Sequence, residues 1–175
     1  LGALGAGTAL MPARRPGAAA RAPSLRSQGI GLSRDAWEAI HGPGEAVQTL
    51  LAYTDPESGS PLYIGIDGDR VAFVELRWEQ AGGISREMAG SRVRRLLPAD
   101  ARLAEQEVVH LTPAGPIAIR TQRWQSPALG SATGGRGNIL IRFHEQAGQH
   151  SAAAPPAVAV MAATLAIDAG TSGAS

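Results

Sequence analysis

The side chains that titrate near neutral pH are four histidines: His41, His110, His144 and His150. His144 stands next to Glu145 at the end of a strand-like run, so a hydrolase using His144 or His110 with a nearby carboxylate is one reading. No two histidines are four residues apart, the spacing that places two imidazoles on one helix face for zinc. No metal site and no cofactor are therefore expected. Nucleophiles are also poorly served. No Gly-x-Ser-x-Gly elbow occurs, and with no cysteine there is no thiol catalysis, thiolate site or disulfide. All 16 basic residues are arginine, which removes every mechanism that needs a lysine amine. Asp67-Gly68-Asp69 opens like a calcium loop but lacks the later oxygen ligands. Gly134-Gly135-Arg136-Gly137 lacks the Lys-Ser/Thr pair and following helix of a phosphate loop. It reads as a loop in which Arg136 supplies an anion contact.

Binding chemistry has better material. Trp78 and Trp124 each follow an arginine, Arg77 and Arg123, and these residue types are favoured at the centres of protein interfaces. With Tyr63 and Arg136 they make up the candidate binding set. A competing reading sends Trp37, Trp78 and Trp124 into the core. A third reading is a small apolar-ligand carrier, with Tyr63, Arg120 or Arg142 at the mouth of a cavity under a sheet.

Two echoing stretches position these groups. Leu32-Ser33-Arg34-Asp35-Ala36 and Ile84-Ser85-Arg86-Glu87-Met88 share one device: an apolar residue, a serine N-cap, an arginine and a carboxylate opening a helix. The first helix should run from Ser33 to about Ile40, stapled by Leu32 and Trp37 and stopped at Gly42-Pro43. His41 at its end is placed where the helix dipole favours a cation. The second should cover Ser85–Leu97, with Ala89, Val93, Leu96 and Leu97 buried and Arg86, Arg92, Arg94 and Arg95 on the solvent side.

Strands are expected at Val47–Thr54, Leu62–Ile66, Arg70–Glu79, Arg102–Leu111, Ile117–Gln125 and Asn138–His144. The strongest signal is the hairpin about Asp67-Gly68. In its second strand Ala72, Val74, Leu76 and Trp78 alternate with Glu75, Arg77 and Glu79, giving one buried and one wet face. Val158–Ile167 is Ala-rich and could be helix or strand. Its branched residues and Pro155-Pro156 entry favour a strand. Ser126–Gly137 and Gly148–Pro156 read as loops.

The chain has 175 residues, 44% of them hydrophobic and 18% charged, which suits one globular domain. Residues 1–32 carry four arginines and no acid, whereas residues 33–175 carry 12 arginines against 15 carboxylates. A mildly acidic folded part argues against nucleic-acid binding. The apolar run from Leu1 to Ala13 is too short to span a bilayer. It fits the end of a signal-peptide core, with Ala18-Ala19-Ala20 and Ala20-Arg21-Ala22 as cleavage candidates. The expected plan is a leader over 1–30, a single domain over 31–169 and a disordered tail over 170–175. The domain divides into possible helix-then-strands units at 31–80 and 84–169.

The run Leu32–Glu45, the turn Asp67–Val71, the segment Val74–Trp78 and the close Leu96-Leu97-Pro98-Ala99-Asp100 resemble a group of uncharacterised exported bacterial proteins. The helix, Gly-Pro stop and antiparallel strands are also similar to the β-lactamase-inhibitory-protein and SmpA/OmlA superfold. That resemblance covers residues 32–100 and implies protein binding or envelope assembly without catalysis. Its motifs are structural, so it transfers no functional residue. The expectation is an α+β fold, two short helices packed on a largely antiparallel, meandering sheet. Its expected role is that of an extracytoplasmic domain that binds a protein, peptide or envelope component.

Overall fold

The computed structural model describes residues 24–110, 117–147 and 158–168. Helices α1 (Arg34–His41), α2 (Arg86–Leu96) and α3 (Pro127–Ala132) pack with nine strands in an α+β arrangement. The strands are β1 (Glu45–Val47), β2 (Leu50–Thr54), β3 (Pro61–Asp67), β4 (Arg70–Arg77), β5 (Ile84–Ser85), β6 (Arg102–His110), β7 (Ile117–Gln125), β8 (Asn138–Ala147) and β9 (Val158–Ile167). All pairings are antiparallel, in the order β1-β2-β3-β4-β9-β8-β7-β6, with β5 also pairing β9.

The sheet is two four-stranded meanders joined through their last strands. Each meander follows a helix whose N-cap is tied to that unit's fourth strand. Ser33 bridges Arg70 of β4, and Ser85 pairs Ala159 of β9. Both caps have φ −65° and ψ 155°, and both serine hydroxyls accept from the backbone N–H three residues on, at 3.2 Å. The echo between the two pentads is thus a repeat of connectivity, a helix and then a four-stranded meander, with α3 inserted between β7 and β8 in the second unit and the two units meeting where β4 pairs β9.

One face of the sheet is buried under the helices. Ile64, Val74, Leu165, Ile141 and Phe143 meet Trp37 of α1, Ala89 and Val93 of α2, and Leu129 of α3 in one cluster. Gly42 ends α1 at φ +77°, a conformation open to glycine, and its N–H donates to the Glu38 carbonyl.

Several local expectations shift. Val47–Thr54 is a hairpin rather than one strand. Gln48-Thr49 turns between Val47 and Leu50 with Gln48 at φ +56°, which neither residue's turn preference announces. The β3–β4 tip is Gly68-Asp69, one residue later than expected, because Asp67 pairs Arg70. The α1 entry holds that tip: Arg34 N–H donates to the Asp69 carbonyl, and Arg70 reaches the Gly31 carbonyl. A register break at Gly65/Ile66 leaves Ala72 without a partner, so Val71 takes the buried position that alternation assigns to Ala72.

The stretch 126–137 holds α3, a third helix. Ser126 caps it, Pro127 occupies its first turn, and Asp100 accepts from the Ser126 hydroxyl at 2.6 Å and the Ala128 N–H at 2.8 Å. Residues 24–30, expected to lie outside the fold, belong to it. Leu25 packs on the core, Ile30 is fully buried, and Ile30 and Ala99 N–H groups tie residues 26–30 to the end of α2. Residues 1–23, 111–116, 148–157 and 169–175, including the cleavage candidates, Leu111 at the end of an expected strand, the second expected loop, His150 and the tail, lie outside the described residues.

Candidate functional site

The helix-free face of the sheet is built from registered rows. Tyr63, Glu75, Thr164, Arg142, Thr121 and Glu107 form one. Gly65, Phe73, Ala166, Leu140, Arg123 and Glu105 form a second, and Arg77, Ala162, His144, Ile119 and Val109 a third. The middle strand β9 thus contributes only Ala162, Thr164 and Ala166, while longer side chains stand on both sides. The result is a low strip flanked by Tyr63, Phe73 and Arg77 on one side and Arg142, His144 and Arg123 on the other. Arg77 lies over the Tyr63 ring at 4.8 Å and bonds Glu75 at 2.8 Å, which holds that wall upright. Arg123 meets Glu105 at 3.2 Å and Asp168 at 3.7 Å.

Tyr63, Arg77 and Arg123 therefore share a face, as a binding surface requires. The other candidates do not join them. Trp78 is completely buried, because its side chain continues the inward alternation of Val74 and Leu76. Trp124 points to the helix side, paired across strands with Ile139. Arg136 bonds Asp67 at 2.5 Å and pins the 134–137 loop to the β3–β4 tip, so its charge is already matched.

The His144–Glu145 pair does not converge. His144 faces the helix-free side between Ile119 and Ala162, whereas Glu145 points into the helix side and is 1% exposed. Adjacent strand residues face opposite ways, so the two cannot act on one substrate. His110 closes β6. Among the described residues no group of three or more potential ligands could hold a metal ion. No described helix is long and apolar enough to cross a membrane.

On the helix side lies an open groove of about 1030 Å³ between α2 and the β6–β7–β8 floor. Arg86, Arg94 and Arg95 stand on its helical wall, and Leu103, Val108, Arg120, Trp124 and Phe143 belong to its floor. Beneath it Glu145 Oε2 accepts from Arg86 Nη2 at 2.6 Å and Nε at 3.1 Å, while Oε1 accepts from Arg120 Nε at 2.7 Å. Burial works to raise the Glu145 pKa, but the two guanidiniums outweigh it and hold the carboxyl below its usual range. The Arg120 guanidinium also lies 4.0 Å from the Phe143 ring centre. The arginines of α2 are therefore not simply a solvated face. Arg92, 14% exposed, pairs with Asp55, and Arg95 pairs with Glu57 at 2.6 Å. Sequence reasoning missed Arg86 and Glu145, though one signal was present: an acid continuing the apolar alternation Ile139, Ile141, Phe143.

In the first unit three rings pack together between α1 and β2, beside a smaller cavity of about 400 Å³. His41 stacks on Trp37 with centroids 4.2 Å apart, and Tyr53 meets Trp37 edge-on at 5.8 Å. Burial pushes the His41 imidazole below its ordinary 6.5, against the opposing charge of Asp55. The dipole-stabilised cation expected from its helix-end position is therefore not the outcome; desolvation wins. The unfolded chain then binds a proton more readily than the fold. Stability present above pH 6.5 is lost as pH falls toward the lowered folded value. Thermal melts from pH 8 to pH 5 should show this loss in the wild type and a flatter profile in His41→Phe, which keeps the stack. Equal slopes would remove His41 as the cause.

Comparison with known proteins finds no matching family model, no matching curated protein and no matching solved structure.

Proposed function

We propose that this chain is a non-catalytic binding domain that docks an envelope protein or peptide outside the cytoplasm, on the helix-free face of its sheet. The observation that carries the reading is the row structure of that face. Six registered strands present a strip of Ala162, Thr164 and Ala166 between walls bearing Tyr63, Phe73, Arg77, Arg142 and His144, and no described helix covers it. A rigid sheet with aromatic and arginine side chains around a low centre offers contact area at little ordering cost. The export-like composition of residues 1–23 supports the location.

A photo-crosslinking residue at Thr121, on this face, should give a discrete adduct with a component of an envelope extract. The same residue at Arg34, on α1, should not. Thr164→Arg, which fills the strip, should abolish the adduct with the melting temperature unchanged. Equal adducts from both positions, or an adduct that survives Thr164→Arg, would refute the reading.

A further inference from the structure

From the groove between α2 and β6–β7 we infer a second site, separate from the sheet face and not dependent on it, for an amphipathic carboxylate: one anionic head on a hydrocarbon chain.

The head has a built receptor. Arg120 is a mostly buried arginine, its side chain 13% exposed, held from below by Glu145 and from the side by the Phe143 ring. Only its Nε is engaged, so both terminal nitrogens remain open to the groove that it lines. Arg86 likewise uses Nε and Nη2 on Glu145 and keeps Nη1. Two guanidiniums share one carboxylate whose oxygens are both occupied, which leaves one positive charge in surplus at the groove floor. An anion there meets donors already fixed in place, and the low local dielectric strengthens the contact.

Counting the whole groove sharpens the charge of the head. Arg86, Arg94, Arg95 and Arg120 face Glu87 of the lining, Glu145 beneath and Glu57 on Arg95. A surplus of one fits a monoanion rather than a phosphate dianion. The chain has its own bed. Leu103 and Val108, 48% and 44% exposed, line the groove beside Trp124 and Val93. The volume sits at the upper end of the range for small-molecule sites.

Two observations argue that the space is for a guest. In the first unit Trp37, His41 and Tyr53 pack on one another at the equivalent place, and the cavity left beside His41 is about 400 Å³, less than half the volume of the groove. All 15 Asp and Glu side chains of the sequence lie in the described residues, so residues 1–23, 111–116, 148–157 and 169–175 hold no Asp or Glu that could take the surplus charge.

Trp124 provides the readout. Trp37 and Trp78 are fully buried, so acrylamide quenching reports on Trp124, which lines the groove. Laurate, below its micelle concentration, should protect Trp124 from acrylamide. Dodecanol should bind at least tenfold more weakly, and acetate should give no protection. Arg86→Ala leaves Arg120 on Glu145 and should weaken laurate about tenfold with the fold intact. Val108→Asp, in the groove, should abolish protection. Val109→Asp, on the opposite face of the same strand, should leave it unchanged. Equal binding of laurate and dodecanol, no protection by laurate, or equal effects of the two aspartates would overturn the site. A loss of the sheet-face crosslink with laurate protection intact would sink the other proposal and leave this one standing.

Discussion

Glu145→Ala should lower the unfolding free energy by about 3–5 kcal/mol in urea titrations, among the largest losses available to a polar residue here. The carboxylate is 1% exposed and its three hydrogen bonds all go to arginines. Without it, the Arg120 guanidinium is left nearly buried and uncompensated beside a second cation. Arg86 is 54% exposed and can turn to water, so Arg86→Ala should cost about 1 kcal/mol, near the value for a half-exposed pair. Arg120→Ala should approach the loss of Glu145→Ala, since it also removes the stack on Phe143.

The sign with pH follows from the lowered Glu145 pKa. The folded state holds the ionised form, so the contribution is full above the ordinary carboxylate range and disappears as pH falls through the folded value. The gap between wild type and Glu145→Gln should therefore close in acid. Replacing the triad with Leu at 86, Met at 120 and Leu at 145 should restore much of the stability, because well-packed apolar groups avoid the desolvation cost. That variant should no longer protect Trp124 with laurate, which would separate the triad's structural part from its ligand-binding part.

The features that were legible in the sequence are the ones set locally. A serine followed by an arginine and an acid marks a helix start because the orphan N–H groups need an acceptor within three residues, and both expected caps carry it. The β3–β4 hairpin, β7 and the strand form of Val158–Ile167 follow from alternation and branched side chains. What escaped was set at a distance. The placing of β9 between β4 and β8 joins residues about 90 positions apart and leaves no local mark. Arg86, Arg120 and Glu145 meet across 59 and 25 residues, so no spacing rule could assemble them. α3 is a different kind of miss. Ser126-Pro127 is an adequate start signal, masked by the surrounding glycines. The segment 24–30 was missed because its few apolar residues are spaced too widely for a period, yet Leu25 and Ile30 reach the core.

Trp78 tests the reading of the two faces most directly. Its alternation with Val74 and Leu76 assigns it to the core, whereas its place after Arg77 suggested a partner surface; the structure sides with alternation. It sits where the two units join. Its N–H donates to the Met161 carbonyl of β9 at 2.7 Å, and its own carbonyl accepts from Ala81 and Gly83 at the turn leading to α2. Trp78→Ala should therefore open a cavity at the seam and cost about 3–5 kcal/mol. Its indole N–H has no hydrogen-bond partner among the described residues, so Trp78→Phe sheds an unsatisfied donor while keeping most of the ring volume. The phenylalanine variant should lose less than half as much as the alanine variant. Trp124→Ala, at a partly exposed site, should lose about 1 kcal/mol or less but erase the quenchable emission. If Trp78→Ala instead left stability intact and weakened partner capture, the assignment of the two sheet faces would be reversed, and the case for the helix-free face would fall with it.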